Sequence, residues 1–265
     1  MNRYAAGASA GVVVVCLTVA LSFVYPFALS DPHAATPPED RVTVGERDAY
    51  SVTGRIVYEG QTVAALDGTV AADGAWYQRR REDGIVTETY RPSGSDTVYE
   101  RRSIDDCDVA EGHRDWIADD EERELRSWNR TADGVTLVVA ENATDPTEQV
   151  SGVASVFVRN LFVVAYERTD SPNGTLYRPQ PGWYSGTEPY RVVTATGQVR
   201  ADAETNAVIS ANITLAVQES VRTYAEYAFA RLTGASPETQ RVTIEFDTDD
   251  HTLHRPAWVE EAMAE

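Results

Sequence analysis

Residues 75–91 read AWYQRRREDGIVTETYR, two alternating segments joined by Asp83-Gly84. Alternation with a period of two residues is typical of β-strands, because successive side chains point to opposite faces of a sheet. An Asp-Gly pair between such segments favours a type I′ turn, which needs positive φ at both central positions. The stretch therefore predicts a tight antiparallel hairpin.

Similar segments surround this hairpin on both sides. YSVTGRIVY and TVAALDGTV precede it, and DTVYERRSI follows after a second predicted reversal at Ser93-Gly94. GVTLVVAE, YRVVTATGQVRAD, NAVISANITLAVQE, VRTYAEYAFARL and QRVTIEFDT continue the alternation toward the C-terminus. Residues 110–129 are polar and predict a short helix and loop, and the Pro- and Gly-rich residues 171–189 predict a loop. The pattern predicts an antiparallel meander of about nine or ten strands.

Residues 147–168, TEQVSGVASVFVRNLFVVAYER, interrupt this alternation with apolar residues at helical spacing. Val153, Phe157, Leu161 and Val164 fall on one face, so we expect one long amphipathic helix. A large sheet must bury one face against another element. The predicted fold class is therefore α+β, with a large bent antiparallel sheet, the half-barrel, and one long helix packed on its concave face.

Residues 4–29 contain no charged side chain, and 26 residues exceed the roughly 20 that a helix needs to cross a bilayer. Arg3 precedes this segment and Asp31 follows it, which favours a cytoplasmic N-terminus and an extracytoplasmic domain. A cleaved signal peptide is the alternative, with Ala28-Leu29-Ser30 as the cleavage site. We therefore divide the chain into residues 1–30 (membrane helix or signal peptide), 31–47 (disordered linker) and 48–265 (extracytoplasmic domain).

The two cysteines do not predict a disulfide framework. Cys16 lies within the apolar segment, directly after Val13, Val14 and Val15, and the sequence around it lacks the small residue that precedes a lipid-modified cysteine. It is expected to be a small apolar residue of the membrane helix. Cys107 then has no partner in the domain, which must be held together by its own core.

The composition is strongly acidic. Asp and Glu total 42 and all 23 basic residues are arginine, so the formal net charge is −19 without a single lysine. Such a surface repels itself in dilute buffer, but the Debye length falls to about 3 Å at 1 M salt. The composition indicates adaptation to high salt, and it argues against nucleic acid as a partner because phosphates need a basic surface.

Candidate catalytic and metal-binding motifs are weak. Gly7-Ala-Ser9-Ala-Gly11 has the spacing of a nucleophile elbow but lies in the predicted membrane segment. His251 and His254 lie near three aspartates, yet their spacing suits neither a helical nor a strand zinc pair. We expect no enzyme, no cofactor and no metal.

Four Asn-x-Thr sequons predict glycosylation sites on an exposed domain. They begin at Asn129, Asn142, Asn173 and Asn212.

The predicted hairpins place aromatic and charged side chains on both faces. One face would carry Tyr77, Arg79, Arg81, Glu88, Tyr90, Tyr99 and Arg101, and the other Trp76, Arg80, Ile85, Val98 and Arg102. Cross-strand Arg–Glu pairing gives a structural account of the charges. The alternative is the rim of a groove in which aromatic and guanidinium groups meet a ligand.

The order of these features resembles that of uncharacterised haloarchaeal membrane-anchored surface proteins and lipoproteins. The resemblance rests on a single N-terminal attachment, an acidic lysine-free domain, a YSVTGRIVY-type first strand, Tyr/Arg hairpins, one helix, YRVVTATGQVRAD and a closing Pro256-Ala-Trp-Val-Glu260. More remotely the chain is similar to the LolA-like lipoprotein-carrier half-barrels. That resemblance implies an apolar cavity between sheet and helix that receives acyl chains.

Two functions follow as hypotheses. The first is a cell-surface binding module for a lipidic or apolar ligand, anchored in the membrane by its N-terminal helix. Its ligand would contact Val153, Phe157, Leu161, Val164, Trp76 and Tyr90. The second is a non-catalytic structural or adhesion protein of a halophilic cell envelope, with the same space filled by side chains.

Overall fold

The structure, a computed structural model, describes residues 42–132, 134–142, 147–171, 174–184, 190–218, 223–248 and 252–264. Four α-helices occur in these ranges: α1 Cys107–Ala118, α2 Thr147–Arg159, α3 Tyr224–Leu232 and α4 Ala257–Ala264. The strands are β1 Tyr50–Tyr58, β2 Gln61–Val70, β3 Trp76–Glu82, β4 Ile85–Arg91, β5 Thr97–Ile104, β6 Arg123–Thr131, β7 Gly134–Asn142, β8 Tyr166–Ser171, β9 Gly174–Pro179, β10 Gly182–Tyr184, β11 Tyr190–Ala201, β12 Val208–Gln218 and β13 Glu238–Asp247.

All thirteen strands belong to one open sheet in the order β6-β7-β5-β4-β3-β2-β1-β13-β12-β11-β9-β8, and β10 also pairs with β11. The paired strands are antiparallel throughout. The predicted α+β class with a large antiparallel sheet is confirmed. The sheet has thirteen strands in the described residues rather than nine or ten, and four α-helices accompany it rather than one long helix.

The predicted turn at Asp83-Gly84 is confirmed, with φ of 50° and 81° at the two positions. These values are those that a type I′ turn requires. Glu82 pairs with Ile85 directly across the turn. The turn thus fixes the register of β3 against β4, and this register decides which side chains share a face.

The register defines two faces of the sheet. The inner face carries Val52, Gly68, Gln78, Thr89, Glu100 and Val139, which lie directly opposite one another from β1 to β7. The outer face carries the alternate row Thr53, Asp67, Arg79, Glu88, Arg101 and Val138. Helix α2 packs on the inner face of β1, β2, β3 and β13, and α1 contacts β5, β6 and β7. Helix α4 packs on the outer face of β4, β5 and β7.

The prediction of one helix over residues 147–168 was too long. Helix α2 ends at Arg159, a 3₁₀ turn follows at Asn160–Val163, and Val164 has extended backbone angles. Strand β8 begins two residues later, where β-branched and aromatic residues favour a strand. Leu161 and Val164 are buried all the same, because a 3₁₀ turn with three residues per turn keeps positions three apart on one side.

Three further local predictions were wrong. VRTYAEYAFARL contains helix α3 instead of a strand, because Thr223 and Glu226 form a capping box at its start. The polar segment after α1 forms strand β6, which pairs with β7, instead of a loop. The Pro- and Gly-rich residues 171–189 include strands β9 and β10.

The predicted membrane segment, residues 1–30, lies outside the described residues, as does most of the predicted linker. Residues 42–47 of that linker are packed on the domain. Thr43 pairs with Ala207 in an isolated parallel bridge, and its carbonyl accepts a hydrogen bond from the Val208 amide at 2.8 Å. Val42 is buried in the main core. The packed part of the chain thus begins no later than Val42.

Candidate functional site

The predicted apolar binding site lies at the contact between α2 and the inner face. Phe157, Leu161 and Val164 are 2%, 0% and 1% exposed, and Val153 is half-buried against the same core cluster. Trp76, completely buried, belongs to this cluster as well. The structure therefore brings five of the six predicted ligand-binding residues together, as members of one packed core. Their binding of an apolar ligand stays a prediction.

Two strand glycines allow α2 to approach the sheet closely. A Cβ atom added at Gly54 in β1 would lie 2.9 Å from Cδ1 of Phe157. A Cβ atom added at Gly68 in β2 would lie 2.8 Å from Cγ1 of Val150. Both distances are shorter than carbon–carbon van der Waals contact. At these two points the space between helix and sheet is filled by the side chains of the helix itself.

Tyr90, the sixth predicted residue, lies on the other face of the sheet. It is 5% exposed and packs with Tyr99, Trp258 and Val259 under helix α4. The sequence analysis assigned both Trp76 and Tyr90 to the ligand site, although it placed them on opposite faces of the hairpin. The register confirms the opposite faces, so the two residues contribute to two different cores.

One Arg–Glu pair crosses the strands of the hairpins, as the structural interpretation predicted. Glu88 accepts hydrogen bonds from the Tyr77 hydroxyl at 2.8 Å and from Nε of Arg101 at 2.7 Å. Burial, followed by this hydrogen bond to Glu88, raises the pKa of Tyr77 above its ordinary value. Tyr77 therefore stays protonated and donates. Arg101 also stacks on Trp258 of α4, with the guanidinium carbon 5.3 Å from the ring centroid.

A polar groove of about 620 Å³ occupies the outer face of β2, β1, β13, β12 and β11, where no described helix packs. Its charged and strongly polar lining includes Thr53, Arg55, Asp67, Asn212, Arg241 and Glu245. The sequence analysis missed this groove. A signal was available in YSVTGRIVY and QRVTIEFDT. In both segments alternate positions are mostly apolar and face the core, and the positions between them are mostly polar and face the groove.

The groove is organised in two cross-strand rows. In one row Arg55, Thr243, Asn212 and Gln198 lie opposite one another on β1, β13, β12 and β11. In the next row Asp67, Thr53, Glu245 and Ser210 do the same on β2, β1, β13 and β12. One row thus offers mainly donors and amides, and the other offers carboxylates and hydroxyls.

Arg55 and Arg241 are diagonal neighbours on the paired strands β1 and β13, since Arg241 lies opposite Val57. Nε of Arg241 donates to Oδ1 of Asn212 at 3.2 Å. Among the described residues, no carboxylate lies within ion-pair distance of either guanidinium. Asp67 and Glu245 are diagonal neighbours of Arg55 as well, so the groove presents guanidinium and carboxylate groups side by side.

A shallower cup of about 350 Å³ lies beside α1, lined by Arg102, Val109, Gly112, His113 and Trp116. The Arg102 guanidinium lies 2.8 Å from Nδ1 of His113 and also pairs with Glu100. Burial, followed by the positive charge of Arg102, lowers the pKa of His113 below its ordinary 6.5. The cup is open, and its polar groups already contact one another.

The asparagines of three of the four predicted sequons are among the described residues, and Asn129, Asn142 and Asn212 are all exposed. Asn173 lies outside the described residues, as do Cys16, residues 7–11 and His251. Cys107 is a free, half-buried thiol at the start of α1, and His254 is exposed. Within the described ranges, no group of three or more His, Cys, Asp or Glu side chains is arranged to hold a metal ion.

Among the helices that the structure describes, none combines the length and the apolar character needed to span a bilayer. Comparison of the chain with family models, with curated proteins and with solved structures found no match. We therefore infer the function from the chain's own residues.

Proposed function

We propose that this chain is a non-catalytic protein of a halophilic cell envelope, anchored by residues 4–29 and exposing its sheet domain outside the membrane. The observation that supports this function best is the contact of Phe157 with Gly54, which fills the helix–sheet space where an acyl chain would bind. A side chain that fills this space takes the place of an acyl chain, which agrees with a role in spacing or adhesion. The half-barrel curvature of the sheet, with α2 on its concave side, is part of this proposal.

Composition supports an envelope location under high salt. Acidic side chains bind hydration water, while the long apolar stem of lysine, which the chain lacks, would promote association in strong salt. The exposed sequon residues Asn129, Asn142 and Asn212 are in reach of glycosylating enzymes outside the membrane. A hydrated and glycosylated surface suits a protein that separates or connects envelope layers.

The competing function is the binding of a lipidic or apolar ligand by the residues around Phe157. One experiment on the purified full-length chain separates the two. Its organic extract is analysed by mass spectrometry, and thermal unfolding of Phe157→Ala is compared with that of Val156→Ala. Val156 lies on the same helix but is 44% exposed, so it controls for changes in helix propensity.

With a filled core, the extract holds no stoichiometric lipid, and Phe157→Ala loses about 3–5 kcal/mol because a cavity remains. Val156→Ala changes stability by about 0.5 kcal/mol or less. A stoichiometric isoprenoid or acyl species in the extract, together with a small loss for Phe157→Ala, would instead establish the apolar-ligand module.

The location is tested on intact cells. External protease should digest the domain while leaving the apolar segment in the membrane fraction. Recovery of the domain only as a soluble secreted product that begins at Asp31 would show a cleaved signal peptide and would refute the anchor.

A further inference from the structure

The outer-face groove is a polar feature of the sheet that the structural role proposed above does not use. We propose that it binds an acidic saccharide, a polyhydroxylated chain carrying carboxylate or sulfate groups. Its volume of about 620 Å³ lies within the range of sites that enclose small ligands. Its lining is polar, unlike that of a lipid site.

The anionic group of the ligand is held by Arg55 and Arg241. Cross-strand diagonal neighbours lie about 7–8 Å apart, so the two guanidinium groups can converge on one carboxylate or sulfate. Arginine binds such groups through paired, charge-assisted hydrogen bonds. The hydrogen bond from Arg241 to Asn212 uses only Nε and orients the terminal nitrogens.

The hydroxyl groups of the ligand are bound by the rest of the groove. Asp67 and Glu245 flank Thr53 across three strands and accept hydrogen bonds from hydroxyls. Asn212 and Gln198 offer amides that both donate and accept. This mixture suits a sugar, whose hydroxyls need both kinds of partner.

The same carboxylates exclude other anions. A densely charged polymer such as a nucleic acid would place phosphates beside Asp67 and Glu245, where like charges repel. The four ionised side chains of the groove sum to zero formal charge, which suits a ligand that combines anionic groups with neutral hydroxyls. The described residues that line the groove include no aromatic ring, so binding by them depends on hydrogen bonds and charge and not on stacking.

Asn212 gives the ligand two possible sources, because it is both a lining residue and the start of a sequon. The saccharide is either a glycan attached to Asn212 itself or one supplied by a neighbouring molecule. Peptide mass spectrometry of the natural protein distinguishes them. An intact glycan on Asn212 assigns the groove to the attached chain, and an unmodified Asn212 assigns it to an external one.

The test uses the full-length chain produced without glycosylation and titrated calorimetrically with tri-galacturonic acid. The matched control ligand is its methyl ester, which has the same hydroxyls without the charges. We expect the acid to bind at least about tenfold more tightly than the ester, and raising the salt to reduce that difference. Equal binding of both, or binding of neither, would overturn the proposal.

The double variant Arg55→Gln/Arg241→Gln should lose about tenfold or more in affinity for the acid and little for the ester. Arg130→Gln, on the distant strand β6, is the control and should bind as the parent does. Unchanged affinity in a double variant with a parent-like melting curve would refute the role of these arginines. These outcomes leave the lipid extraction untouched, so the two proposals are tested separately.

Discussion

Strands β1 and β13 have two faces with opposite surroundings. On the inner face, Val52, Ile244 and Phe246 are nearly inaccessible to solvent, and Gly54 receives the ring of Phe157. On the outer face of the same strands, Thr53 and Arg55 line an open polar groove. Because successive side chains point to opposite faces, the nine residues of β1 form a buried contact on one face and a solvent-exposed surface on the other. Removing a side chain should therefore destabilise the domain much more on the inner face than on the outer face.

Salt should produce the largest effect, because it acts on the charged outer surface and the repulsion across it. The Debye length falls from about 10 Å at 0.1 M to about 3 Å at 1 M. We expect the melting temperature to rise steeply between about 0.1 M and 3 M salt. Differential scanning calorimetry measures this, and a flat profile would contradict the inferred adaptation to salt.

A matched pair of valines on β1 compares the faces directly. Val52 is 1% exposed on the inner face, whereas Val57 lines the outer groove. Val52→Ala should cost about 2–3 kcal/mol, from two methyl groups at about 0.8 kcal/mol each plus the cavity. Val57→Ala should cost less than about 1 kcal/mol. Equal losses in urea unfolding would show that the outer face is also packed.

Adding a methyl group at Gly54 tests the contact between strand β1 and Phe157 of α2 by overpacking it. Gly54→Ala should destabilise the domain by about 1–3 kcal/mol, because its Cβ meets the ring of Phe157 and overpacks the core. Gly152→Ala, on helix α2 with open space around its Cα, should stabilise by about 0.5–1 kcal/mol. If Gly54→Ala were neutral in the same thermal unfolding assay, α2 would not be in firm contact with the sheet.

The smallest effect concerns His113, beside α1. Its pKa is lowered in the folded domain, so below its ordinary 6.5 the unfolded chain binds more protons. Stability should therefore fall slightly as the pH drops through that value and should be retained above it. His113→Gln should remove this part of the pH dependence, measured as the difference between the two melting-temperature profiles from about pH 7.5 to 5.5. If the two profiles were parallel, His113 would not contribute to the pH dependence of stability.

Local sequence patterns predicted the strands well where the turn residues and the alternation of side chains indicated the same structure. Asp83-Gly84 specifies its turn, and YSVTGRIVY coincides with β1 because its alternation continues to the end of the strand. The helix α3 was predicted as a strand, since its aromatic residues outweighed the capping signal of Thr223 and Glu226. That signal spans only four residues and was available in the sequence.

The candidate site was harder to predict because it depends on which strands become neighbours. Apolar spacing correctly indicated that Phe157 and Leu161 are buried together, but it could not show that a glycine of β1 lies beneath Phe157. Likewise, Arg55 and Arg241 are 186 positions apart in the chain. Only the pairing of β1 with β13 makes them neighbours, and short valine- and threonine-rich strands do not specify their partners locally.

The attachment of residues 42–47 determines how the domain responds to mechanical load. The Thr43 amide donates to the Asn206 carbonyl at 3.0 Å, and Nη2 of Arg47 donates to the Val208 carbonyl at 2.6 Å. A pull on the preceding chain therefore acts first on the turn between β11 and β12, and then on β1, which is held by hydrogen bonds to strands on both sides. An edge strand would peel away one hydrogen bond at a time. A chain joined to a central strand loads two ladders together, so the domain should resist tension applied through the residues that precede Val42.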